Sequence, residues 1–118
     1  YDLSARLAPP RDEGVLIVGS GHVVHNLGRI QWAEAAKPYD WAVRFNEPVR
    51  AHLAAREHRA LIEYASFGDD ARLCVPTPEH YLPLLYILAQ QGQSEIISLP
   101  VDGIEYGSIG MLTVAVGL

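Results

Sequence analysis

Three of the five histidines in this 118-residue chain stand where an imidazole can do chemistry. His22 and His25 lie three residues apart in "GSGHVVHN", directly after the β-branched run "GVLIV", and His80 lies in "TPEHYLPLLYIL". A neutral imidazole ligates divalent metals, and the same ring shuttles protons near neutral pH, so these residues raise both chemistries. His22 and His25 alone fall short of a site, because a divalent ion such as zinc takes about three or four protein ligands. His80 is a candidate third, at a helix start whose unpaired N–H groups disfavour added positive charge. Each of the three has a plain alternative as a structural hydrogen-bonding residue. His52 and His58, in the charged helical stretch "RAHLAAREHR", read as solvated surface. With Cys74 as the one cysteine, no zinc-finger spacing is present.

The glycines beside the first pair exclude two familiar devices. A dinucleotide-binding turn needs a third glycine at position 24, where Val24 stands. A nucleophile elbow fails at Ser20, whose flanking positions are Val18 and His22 rather than glycines. What remains is a tight reversal at the end of a buried strand, which is where open α/β sheets bind ligands.

The elements that must position these residues follow from periodicity. "VLIVG" reads as a strand buried on both faces, after a helix ended by Pro9 and Pro10. "LGRIQWAEAAKPYD" reads as a loop. Trp41, Phe45, Val49 and Leu53 recur every four residues, which predicts a helix kinked or split at Pro48. "EHRALIEYA" continues as a helix with Leu61, Ile62 and Ala65 inward, and "FGDDARLCVP" as loop. Thr77 is suited to cap a helix that starts at Pro78, carries Glu79 at its positive end and stops at Gly92. Leu82, Leu85, Tyr86 and Ala89 would form its buried stripe. "EIISLP" and "IGMLTVAVG" read as strands around the turn "VDGIEYGS". The pattern predicts the α/β class, a mixed sheet with flanking helices.

Composition bounds the reading further. The length suits a single domain, residues 1–118, and 49% hydrophobic against 19% charged residues predicts a folded core. A net charge of −5, with nine scattered basic residues, argues against nucleic acid or an anionic membrane as partner. No apolar run has transmembrane length, and a lone cysteine suits a reducing, cytoplasmic setting. The opening "YDLSARLAPPRDEG" reads as the tail of a helix cut open, so the chain is expected to be part of a longer protein.

Taken together, "GSGHVVHNL", "WAVRFNEPVRAHL", "TPEHYLPLLYIL" and "IEYGSIGMLTV" resemble the DODA-type branch of the class III extradiol ring-cleaving dioxygenases. The resemblance covers nearly the whole chain and implies the C-terminal half of one larger α/β catalytic domain. It implies cleavage of a catechol-type, DOPA-like ring with O₂ at a divalent metal, Fe(II) or Zn(II). His25, in "VHN", and His80, in "PEHY", match the family's site histidines. His25 would then serve as metal ligand or as catalytic acid/base, and His80 as ligand. The family usually has asparagine where His22 stands, so His22 inherits no role. Asn26 and Glu79 are candidates to orient the ligands, and Trp32, Tyr81 and Tyr106 to line an aromatic pocket, although turn formation, dipole pairing and packing explain them equally well. The histidines expected from the family's other half have no counterpart here, so the fragment's own site is expected to be incomplete and its open sheet edge to favour self-association. The alternative function is a non-catalytic structural or interaction module that retains the fold. A nucleotide-binding module is disfavoured by Val24.

Overall fold

The computed structural model describes residues 1–33 and 35–118. It opens with a 3₁₀ turn (Ser4–Leu7) and a short helix, α1 (Ala8–Asp12). Pro9 and Pro10 therefore do not end a helix, as expected from sequence, but lie at the start of one. N–H groups of a first helical turn have no intrahelical partner, so proline loses little there. Arg11 of this helix forms a forked ion pair with Glu95, at 2.7 and 3.1 Å, and donates to the Gln90 carbonyl at 2.6 Å. The pair holds the N-terminal segment against the far end of the chain.

Residues 15–19, expected as a doubly buried strand, form no strand. Leu16 and Val18 are 71% and 77% exposed. The β-branched composition is that of a strand, but a strand exists only where a neighbour completes its ladder.

Helix α2 (Asp40–Ala55) carries the main buried stripe, Ala42, Phe45, Val49 and Leu53, with Trp41 packed against its edge. It runs through Pro48 as one element, contrary to the expected break. The carbonyl that loses a donor there belongs to Arg44, an exposed position where water can solvate it. Arg56, in the left-handed conformation, closes the helix, and its side chain donates to the carbonyls of Gly92 and Gln93.

Helix α3 (His58–Ile62) and a 3₁₀ turn (Tyr64–Phe67) follow. The segment read as loop, "FGDDARLCVP", instead contains helix α4 (Asp69–Cys74). Gly68, at φ 86°, turns the chain into it, and Asp69 and Asp70 sit at the positive end of its dipole. Burial of Ala71 and Cys74 against α2 supplies the rest.

Before helix α5 (Leu82–Leu88) the chain forms a separate 3₁₀ turn, Pro78–His80. Thr77 does not cap it; its hydroxyl bonds to the Glu79 carboxylate instead. Of the expected stripe Leu85 is buried and Ala89 half-buried, but Leu82 and Tyr86 are exposed, and Tyr81 and Leu88 take their place in the core. The helix also ends before Gly92.

Four short strands complete the chain: β1 (Ile97–Val101), β2 (Ile104–Glu105), β3 (Ile109–Gly110) and β4 (Thr113–Val116). β1 pairs antiparallel with β4, and β2 with β3. The "VDGIEYGS" turn thus holds a strand of its own, and "IGMLTVAVG" splits in two. The molecule is of the α/β class, helices with two small antiparallel strand pairs. Among the described residues, no helix is long and apolar enough to cross a membrane.

Tyr81 lies at the centre of the core, fully buried, and its hydroxyl donates to the Leu61 carbonyl at 2.9 Å. It is therefore packing rather than the pocket wall considered from sequence. Tyr81→Phe leaves that carbonyl without its donor, so a loss of about 1–2 kcal/mol in urea-induced unfolding is expected. A neutral result would mean that water reaches Leu61.

Candidate metal centre

Gly19 and Gly21 bring the first histidine loop against the start of α5. A Cβ on Gly21 would overlap the His80 carbonyl oxygen and lie 2.9 Å from Cγ of Pro83; one on Gly19 would lie 3.0 Å from the Pro83 carbonyl. The close approach lets the His22 N–H donate to the His80 carbonyl at 2.7 Å. These glycines therefore serve helix contact, not a phosphate.

Beyond that contact the loop is clamped from two sides. The His25 N–H donates to the Cys74 carbonyl at 2.8 Å, at the end of α4, and the Asn26 side chain donates to the Leu73 carbonyl at 2.8 Å. On the other side His25 forms a β-bridge with Ile109. The Ser108 hydroxyl donates to the Asn26 carbonyl at 2.8 Å, and Gly110 N–H to the Val24 carbonyl at the same distance. Val24, which spoiled the dinucleotide pattern, is a fully buried core residue touching Gly110.

The result is a cluster of three imidazoles. The His25 and His80 rings stack with centroids 3.6 Å apart and planes within 16°. His22 lies further off, 5.4 Å from His25 and 6.3 Å from His80. Its Nδ1 lies 2.8 Å from the Gly110 carbonyl and, since a carbonyl only accepts, donates to it. Burial, then the neighbouring His80 and His22, hold the His25 pKa below the ordinary histidine value, while the Glu79 carboxylate opposes them. His25 is therefore neutral at pH 7, the state needed by a ligand or a proton acceptor.

The fold brings the His25 and His80 rings into direct contact, the proximity that a shared ion requires. Imidazole lone pairs lie in the ring plane, so rings stacked at 3.6 Å direct them side by side, and both rings hold one tetrahedral ion only after one of them turns about its side-chain bonds. Among the described residues, no group of three or more His, Cys, Asp or Glu side chains is arranged to hold a metal ion. The donor set thus fits part of a coordination sphere.

The remaining candidates separate clearly. Asn26 orients the loop through Leu73 and is not beside an imidazole nitrogen as a partner. Glu79 is exposed, its carboxyl held below the usual range by the Thr77 hydroxyl, and it supplies negative charge near His25 and His80. Trp32 and Tyr106 form an outward-facing pair with ring centroids 5.6 Å apart, and Tyr106 has a φ of 50°. His52 and His58 are half-buried rather than solvated, bonded to Glu57 and to Tyr1 and Gln91 respectively, and belong to no site. Burial pushes the Cys74 thiol up to about 12, leaving it unreactive. Sequence reasoning missed Leu73, Ser108 and Gly110 as the loop's anchors. Two of these act through backbone carbonyls, which any residue type offers.

No family model matches the chain. It is 45% identical over 120 residues to 4,5-DOPA dioxygenase extradiol of Escherichia coli K12, covering 99% of this chain and 44% of that protein. The chain is homologous to part of that extradiol dioxygenase. The Beta vulgaris protein of the same name is 32% identical over 114 residues, covering 92% of this chain and 42% of its own length. A crystal structure of an uncharacterized Escherichia coli K12 protein superposes with a TM-score of 0.88 at 46% identity, over 96% of this chain and 47% of that one. The chain thus spans somewhat less than half the length of the relatives it matches.

Proposed function

We propose that residues 1–118 form the C-terminal part of a single extradiol dioxygenase domain, which opens a DOPA-like catechol ring with O₂ at a divalent metal. The observation that carries this reading is the stacking of His25 on His80 at 3.6 Å, from two elements far apart in sequence. Homology to proteins named as extradiol dioxygenases supports the reaction class. His25 and His80 would hold the ion, Fe(II) in catalysis with Zn(II) as a structural substitute. When bound, that ion would favour the catecholate by its charge, and iron(II) would offer a path by which the electrons of the catecholate, which is the species oxidised, reach O₂.

The chain's own residues have distinct tasks in this reading. His80 is held by the Gly21 contact at its carbonyl, which fixes the ring's base. His25, kept neutral by burial and by its neighbours, either ligates the ion or takes the phenolic proton at a ring nitrogen. His22 lies beside the pair with its Nδ1 tied to the Gly110 carbonyl, and is assigned no ligand role. A free, unreactive Cys74 suits a reducing, cytoplasmic setting.

Two histidines leave an ion mostly hydrated and without fixed positions for two reactants. The isolated chain, loaded anaerobically with iron(II), is therefore expected to show no ring-opening absorbance with L-DOPA above a metal-only control. Joined in one polypeptide to the portion of its relatives that it does not match, it should turn over with O₂ uptake. Failure of the complete protein on any catechol would favour the non-catalytic module. Turnover by the isolated chain that disappears in His25→Ala would show that the half-site suffices.

A further inference from the structure

A large unfilled feature lies beside the histidines rather than among them. A cavity of about 840 Å³ is bounded by Val15–Gly19 on one side, β4 on the other and Ile87 and Gln90 of the α5 region. A second, of about 290 Å³, continues from it past Val18, Gly19, Ile87, Thr113 and Val114, and ends at Gly21, His22 and His80. The two are one trough.

Both walls carry unused strand-forming groups. Among the described residues, no backbone N–H or carbonyl of Leu16–Gly21 makes a hydrogen bond. β4 pairs with β1 alone, so its other edge is open, and the trough is lined by β4 and by no residue of β1. Gln90 gives an independent sign. It is 5% exposed and lines the trough, yet its side-chain oxygen has no hydrogen-bond partner among the described residues. A buried acceptor without a donor is costly, and an incoming N–H would satisfy it.

We propose that this trough is a strand slot, filled by an extended apolar segment from the part of the full-length relatives that this chain does not match. Several observations select that occupant. The relatives are more than twice as long, and the superposition at a TM-score of 0.88 places this fold inside a chain of which it covers 47%. Val15, Leu16 and Val18 are β-branched or aliphatic and exposed, and main-chain pairing with alternate apolar side chains is how an added strand binds. The inference rests on the homology and on the shape of the trough, not on the metal chemistry.

The experiment is co-expression of this 118-residue chain, tagged, with the unmatched portion of the Escherichia coli relative as a separate polypeptide. The expected result is a 1:1 complex on affinity capture, with mass confirmed by light scattering. Leu16→Lys and Val18→Lys, at exposed positions that do not disturb the core, should each lower the captured fraction at least tenfold. Val43→Lys, on the exposed face of α2, should leave it unchanged. Circular dichroism checks that all three variants fold. No capture by the parent chain, or equal capture by all variants, would overturn the proposal. So would a homodimer of this chain that Val18→Lys dissolves, because a second copy would then be the occupant. The ring-opening assay plays no part in the readout, so the slot and the dioxygenase reading fail separately.

Discussion

Gly21→Ala is expected to destabilise the chain by about 2–4 kcal/mol and to pull the histidine cluster apart, although it adds a single methyl group. The cause is steric and not a matter of backbone conformation, since Gly21 is not among the glycines with positive φ. The new Cβ would overlap the His80 carbonyl and press on Pro83. Relief requires either loss of the 2.7 Å hydrogen bond from the His22 N–H to that carbonyl or displacement of the 3₁₀ turn carrying His80. Gly28→Ala is the matched control: its Cβ would meet nothing closer than the Asn26 side-chain oxygen at 3.4 Å. That change should stay within about 0.5 kcal/mol. Urea unfolding of both variants measures the difference. Equal stability would mean that the loop and α5 yield freely, and that the glycines do not position the site.

The second expected result separates the three imidazoles. In the complete protein, His80→Ala should weaken zinc binding on the order of 10²–10³-fold, taking about 10–16 kcal/mol for a four-ligand site and removing one ligand's share. His22→Asn should cost less than about tenfold, the smaller end of what loss of an orienting group costs. The geometry sets this order: His80 stacks on His25 at 3.6 Å, whereas His22 is more than 5 Å from either ring and its Nδ1 proton is committed to Gly110. Calorimetric titration with zinc reads both variants directly. Equal losses would make His22 a ligand and overturn the assignment carried over from the family.

Local sequence was enough wherever one element carries its own signal. The four-residue recurrence of Phe45, Val49 and Leu53 marked α2 and its buried face, and the paired strings around His25 and His80 marked the family and the candidate ligands. It misled wherever structure depends on a distant neighbour. Residues 15–19 have strand composition and no strand, because a ladder needs a second chain segment that periodicity does not contain. Asp69–Cys74 has the look of a loop and is a helix, because burial of Ala71 and Cys74 against α2 outweighs weak local preference. The stripe of α5 turned to Tyr81, Leu85 and Leu88 because Tyr81 reaches the Leu61 carbonyl, a contact across 20 positions. The site shows the same division. Residue types named His25 and His80, but their approach depends on carbonyls of Leu73, Cys74, His80 and Gly110. A backbone carbonyl is the same group in every residue, so its partners are chosen by the fold and leave no trace in the letters.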